Sequence, residues 1–316
     1  MRLGAKLRNY GAGATMRSVL AEAQRAEDAG FDSVWLSDHL VMPETTRAVY
    51  PYGEDGRISW DVREPWLEPV VLLSALASAT ERVSLGTAVL VLPLREPWHL
   101  AKQLACVQEL SGGRVLLGVG DGWLQEELEF FGVPFSERRR LTDRALEQLV
   151  TAWSGVAVQR RGGQEQRFYL EPRPTTLPPI LVGGSSTAVF DRIATSSYGW
   201  LPLARGADAL KVVQDGTRAI LERRREAGET SRKLPTIVLN AGTAEEVAPE
   251  LAALASAGVQ EVLVDGDFDR EHGPERALAQ LREVERGSPA PEAARHPEGV
   301  LSSGLGEQWG SASRGE

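Results

Sequence analysis

The chain has 316 residues and a formal net charge of −9, with a pI near 5.2. That acidic balance, with no basic stripe, excludes the electrostatic footprint of a nucleic-acid binder. A single cysteine, Cys106, excludes a disulfide framework and any cysteine-held metal cluster.

Leu3 to Leu7 reads as the first strand. No long apolar leader precedes it, and no run of about eighteen apolar residues occurs, so a cytoplasmic protein without a membrane segment is expected. Met16 to Ala29 follows as a helix that stops at Gly30. The second strand, Ser33 to Leu36, runs into Ser37-Asp38-His39. Residues 41–66 then break the rhythm and carry Tyr50, Tyr52, Trp60 and Trp66. So long and aromatic a connection is expected to form a lid or a pocket wall.

Glu68 to Thr80 is a helical period, and Val83 to Val91 a third strand, apolar throughout as a buried barrel strand should be. It carries Gly86, Thr87 and Ala88, small residues on which a flat ring could rest. His99 to Leu110 is helical, with Cys106 in its apolar pattern and expected to be buried. The fourth strand, Val115 to Val119, opens into a loop punctuated by Gly118, Gly120 and Gly122 around Asp121. Arg138 to Trp153 is a helix, and residues 153–179 form a second insertion before the fifth strand, Ile180 to Val182.

The remaining alternation is regular. Helices at Thr187 to Ser196, Ala207 to Ala227, Ala244 to Ala257 and Pro274 to Arg286 separate strands at Gly199 to Leu203, Thr236 to Asn240 and Gln260 to Val264. From 287 to 316, Gly, Ser, Pro and Glu dominate and periodicity vanishes, so residues 1–286 are expected to be one domain and the rest a disordered tail. Short apolar strands alternating with helices demand right-handed parallel crossovers. Eight such units predict a closed (β/α)8 TIM barrel with insertions after strands 2 and 4.

In such a barrel the loops after the strands build one site. Asp38 and His39 fall there, an acid and an imidazole able to hydrogen-bond a ligand or move a proton near neutral pH. Gly183-Gly184-Ser185-Ser186 would aim backbone N–H groups and hydroxyls at a phosphate, or would cap the following helix. Gly118-Val-Gly-Asp-Gly122 imitates a dinucleotide fingerprint, but no acidic residue ends a second strand about twenty residues on, so a Rossmann reading is discounted. No His, Asp and Glu set has metal-ligand spacing, and no metal site is expected.

At Ala26-Glu-Asp-Ala-Gly-Phe-Asp-Ser-Val-Trp-Leu-Ser-Asp-His39, Leu85 to Pro97, Leu110 to Trp123, Gly132-Val-Pro-Phe-Ser-Glu-Arg-Arg139 and Pro178 to Gly184, the chain resembles the luciferase-like flavin and deazaflavin oxidoreductases, and the F420-dependent branch in particular. The resemblance implies a TIM barrel that binds F420, or alternatively FMN, at its C-terminal rim. It implies a cis peptide at Ala88-Val89 beneath the ring, contacts from Thr87, Gly120 and Asp121, a deazaflavin contact from Asp38 and His39, and a phosphate cradle from Gly183, Gly184, Ser185 and Ser186. It also implies hydride transfer to or from a small organic substrate, or a flavin- and O2-using monooxygenase, with a homodimer as the expected assembly. One departure stands out. Relatives like the sugar-phosphate dehydrogenase carry a glutamate acid where this chain has Trp123, so His39 or a residue of the 41–66 insertion would have to serve. A non-catalytic cofactor- or partner-binding barrel is the reading from another class.

Overall fold

Every strand that the pattern predicts is present, and the eight close on one another. The computed structural model describes residues 1–50, 56–58, 60–161, 164–206, 208–228 and 234–287; the expected tail from 288 onward and Tyr52 lie outside the described residues. The elements run β1 (Arg2–Lys6), α1 (Met16–Ala29), β2 (Ser33–Leu36), α2 (Pro69–Ala79), β3 (Ser84–Thr87), β4 (Leu90–Val91), α3 (Pro97–Leu110) and β5 (Val115–Gly120). Then come α4 (Gln125–Phe130), α5 (Arg138–Trp153), β6 (Val156–Arg161), β7 (Gln164–Tyr169), β8 (Ile180–Gly183) and α6 (Thr187–Ala194). The chain continues with β9 (Gly199–Leu201), α7 (Asp208–Glu226), β10 (Val238–Gly242), α8 (Ala244–Val247), α9 (Leu251–Ser256), β11 (Glu261–Asp265) and α10 (Gly273–Gly287).

The sheet runs in the order β10-β11-β1-β2-β3-β5-β8-β9, all pairs parallel. The parallel bridges Trp200 to Ile237 and Leu203 to Asn240 join β9 back to the β10 segment and complete a (β/α)8 TIM barrel. The helices bury one face each against it. In α1, Val19, Ala23 and Ala26 turn inward at helical spacing, Thr15 and Ser18 cap the start, and Gly30 ends it at φ 102°.

The bore is filled by side chains, as expected of a barrel of this size. Trp35, Leu116, Leu181, Leu201, Val238 and Leu263 form this inner layer, and Ala88 and Val89 pack on it from above. Trp35 fits because Gly4 and Gly86 leave room: a methyl on Gly86 would come within 2.2 Å of its ring. Its Nε1 donates to Ser33 Oγ at 2.6 Å, and Ser33 in turn bonds Glu261.

Three expectations are corrected. The third strand is not continuous, because it breaks between β3 and β4 at Ala88-Val89, where the peptide is cis. The second insertion is not a bare loop, because β6 and β7 pair as an antiparallel hairpin. It lies between α5 and β8, on a helix-to-strand connection at the N-terminal side of the barrel. Cys106 is exposed, on the outer face of α3.

Candidate active site

The C-terminal ends of β5 and β8 meet at Val89, which lies between β3 and β4. A methyl placed on Gly120 would lie 2.6 Å from Val89 Cγ2, and one on Gly183 would lie 2.6 Å from Val89 Cγ1. Both glycines are therefore demanded by the valine between them, and together they make a low, smooth floor at the mouth of the bore. Thr87 is fully buried beneath this floor, its Oγ1 donating to Gly118 O at 2.7 Å, so it supports the turn and does not line the pocket.

On one side of the floor β8 ends in Gly183 and Gly184, the latter at φ 102°, a conformation that favours glycine. Gly184 O accepts from Trp200 Nε1 at 2.7 Å, which fixes the turn. Ser185 is exposed, and Ser186 stands at the N-cap of α6 with no hydrogen bond from its side chain to the helix. The first amides of α6 and two serine hydroxyls thus remain open to an anion.

On the other side stands His39. It is buried at 7% exposure, and its Nδ1 lies 2.8 Å from Oε2 of Glu127, itself buried at 2%. Glu127 comes from the first turn of α4, and its Oε1 accepts from the amides of Leu40 at 2.6 Å and Val41 at 3.2 Å. Three indoles surround the imidazole. Trp66 meets it edge-on at 4.7 Å, Trp123 edge-on at 5.7 Å, and Trp60 lies at 6.5 Å. Tyr10 stacks on Trp66 at 4.2 Å, and Tyr50 packs against Trp60 and Trp123. The described aromatic residues of the 41–66 insertion therefore form, with Tyr10 and Trp123, an aromatic cluster around His39.

The other expected residues are braces. Asp38 is buried, with Oδ2 accepting from Val91 N at 2.7 Å and from Arg95 Nη1 at 2.6 Å, while Oδ1 accepts from Arg95 Nη2 at 2.8 Å. Burial pushes its carboxyl up, against the opposing pull of Arg95. Arg95, which burial alone would lower, is instead raised by Asp38 and by Glu68. Asp38 thus ties the end of β2 to the segment just past the cis peptide and presents no free oxygen to the pocket. Asp121 pairs with the buried Arg192 at 3.1 Å, which also holds Asp143 at 2.6 Å.

Sequence reasoning missed Glu127, Arg95 and Tyr10. Glu127 stands four residues after Trp123 and meets the imidazole at Nδ1. No spacing rule links Glu127 to a histidine 88 positions upstream; only the fold does.

A family model described as luciferase-like monooxygenase matches residues 2–313. The chain belongs to the luciferase-like monooxygenase family. Among its relatives is an uncharacterized protein of Mycobacterium tuberculosis (strain ATCC 25618 / H37Rv), 33% identical over 268 residues, which cover 82% of this chain and 88% of the relative. The F420-dependent glucose-6-phosphate dehydrogenase of Amycolatopsis mediterranei (strain U-32) is 30% identical over 227 residues, 65% of this chain and 63% of the relative.

Solved structures share the barrel fold. An F420-dependent secondary alcohol dehydrogenase, in complex with an F420-acetone adduct, matches with a TM-score of 0.69 at 17% identity, covering 89% of this chain and 99% of its own. The oxygenating constituent of 3,6-diketocamphane monooxygenase from Pseudomonas putida, in complex with FMN, matches with a TM-score of 0.66 at 15% identity, covering 92% and 99%. Among the described residues, no helix is long and apolar enough to cross a membrane, and no group of three or more His, Cys, Asp and Glu could hold a metal ion.

Proposed function

We propose that this member of the family is an F420-dependent oxidoreductase that transfers a hydride between the deazaflavin and a small organic substrate. One observation carries the reading: a smooth floor at Val89 is flanked by an open anion loop on one side and a buried His39 within an aromatic wall on the other. The residues fit the cofactor. Gly120 and Gly183 clear a flat surface, and Gly184, Ser185, Ser186 and the start of α6 would take its phosphate. When bound, the deazaflavin would supply the hydride chemistry, while the protein supplies position and electrostatics.

His39 would accept or return the proton at the substrate's reacting group. Trp60, Trp66 and Trp123 would keep water from it and favour a substrate that is at least partly apolar. The name of the 30% identical relative favours F420. The FMN-bound structural neighbour supports the second reading, a monooxygenase using reduced flavin and O2. A homodimer belongs to the same proposal and is checked by light scattering.

Titration of the purified protein with F420 and, separately, with FMN, followed by cofactor fluorescence, tests the assignment. Micromolar F420 binding with weaker FMN binding is expected. Tight binding of FMN alone would turn the reading to the monooxygenase. Binding of neither would remove the Gly183-Gly184 loop as a phosphate site.

A further inference from the structure

We infer that Glu127 is the positioning residue of His39: it holds the imidazole in the tautomer that carries its proton on Nδ1 and leaves the Nε2 lone pair free to face the pocket. The inference deepens the proposed function, since it specifies the form in which the pocket presents His39, and it rests on a division of labour within one carboxylate. Oε1 of Glu127 accepts two amide N–H bonds, from Leu40 and Val41, the two residues that follow His39. A carboxylate engaged in this way is an acceptor, so the 2.8 Å bond between Oε2 and Nδ1 is donated by the imidazole. The second ring nitrogen is then an acceptor, because a neutral imidazole has one donor and one acceptor.

The surroundings fix the ring plane and the bond fixes its orientation. Trp66 and Trp123 both stand perpendicular to it, at 86° and 85°, and a ring flip would put a carbon in place of Nδ1 and break the bond to Glu127. Asp38, the preceding residue, is held by Arg95 and Val91 N, and the two following amides are held by Glu127 itself. Among the described residues no protein group bonds Nε2. The pocket therefore offers an acceptor to a substrate O–H or N–H group, set in an apolar wall.

The same protein holds a useful contrast. Glu27 also gathers backbone amides, those of Glu81, Arg82 and Val83, and there both oxygens go to the turn. At Glu127 one oxygen does that work and the other is reserved for His39. A carboxylate needed only to tie down residues 40 and 41 would have no reason to bring its other oxygen to 2.8 Å from Nδ1.

The test reads the tautomer directly. Protein labelled with 15N-histidine, free of cofactor, is studied by two-bond 1H–15N correlation at pH 8. The chain has four histidines, so the signals absent from His39→Ala belong to His39. Wild type is expected to show protonated Nδ1 and bare Nε2, and Glu127→Gln to lose that pattern, because its single amide oxygen cannot serve both the backbone and the ring. Finding wild-type His39 protonated on Nε2 would overturn the inference, and so would an unchanged pattern in a Glu127→Gln protein with wild-type circular dichroism. If Glu127→Gln does not fold, the wild-type spectrum alone decides. Because no cofactor is present, this result stands apart from the F420 titration.

Discussion

Arg95 grips both oxygens of Asp38, Nη1 to Oδ2 at 2.6 Å and Nη2 to Oδ1 at 2.8 Å, with side-chain exposures of only 9% and 0%. The pair binds the end of β2 to the segment that follows the cis peptide, so it aligns His39 with the floor at Val89. Removing one partner of a buried ion pair leaves the other uncompensated. Asp38→Asn is expected to destabilise the fold by about 3 kcal/mol, the low end for such pairs, because Arg95 keeps Glu68 at 3.0 Å. Urea unfolding checks it, and a loss below ~0.5 kcal/mol would show that the pair is not structural.

The floor at Val89 yields a prediction with its own rescue. Gly183→Ala would drive a methyl to 2.6 Å from Val89 Cγ1 and 3.3 Å from Val119 O. Overpacking of this kind costs about 1–3 kcal/mol. Adding Val89→Ala removes the clashing methyl and should recover part of the lost stability, so the double variant melts above Gly183→Ala. If the two losses simply add, the valine is not what demands glycine there.

His39→Ala separates binding from chemistry. His39 is packed among Trp60, Trp66 and Trp123 and is no part of the Gly183–Ser186 loop, so F420 affinity should remain near that of wild type. Turnover of the alcohol or electrophilic alkene found by a substrate screen should fall about 100-fold or more. Parallel loss of affinity and turnover would mean that His39 holds the cofactor and takes no part in proton transfer.

Acid stability should depend on Glu27. Burial works to raise its carboxyl, but the amides of Val83, Arg82 and Glu81 outweigh that and hold it below the ordinary glutamate range. The folded state therefore binds this proton more weakly than the unfolded chain. Its contribution is present above the unfolded value, about 4.3, and disappears as pH falls through the folded one. Glu27→Gln should be less stable than wild type near neutrality and show a shallower decline on acidification. Parallel stability curves for the two proteins between neutral and acid pH would refute this.

The barrel was legible because its strands are continuous apolar runs ended by small or polar residues, and the helix stops at Gly30 and Gly155 mark the rhythm. Less legible were elements whose signal is short or non-local. Six-residue α4 is too brief for periodicity to register, and its sequence Gln125-Glu-Glu-Leu-Glu-Phe130 looks like solvated loop. The β6–β7 hairpin did leave a mark, a Gly162-Gly163 pair between two strand-like runs, which is a turn signature. Cys106 was misplaced because one apolar residue in a helical pattern does not fix which side of the stripe it occupies; the structure turns it outward on α3. Asp38 and Asp121 were recognised as lying on the rim, but that position is shared by residues that bind and residues that brace. Only Arg95 and Arg192 tell them apart, and nothing local announces either partner.

Trp35 gives the barrel a closed bottom. Seated in the notch of Gly4 and Gly86 and tied to Ser33, it blocks the bore below Val89. Under the proposed function, cofactor and substrate would then both approach from the C-terminal rim, where Trp60, Trp66 and Trp123 stand. Two ligands sharing one side of the barrel queue: the one lying on the floor would enter first and leave last, so an ordered kinetic scheme is expected.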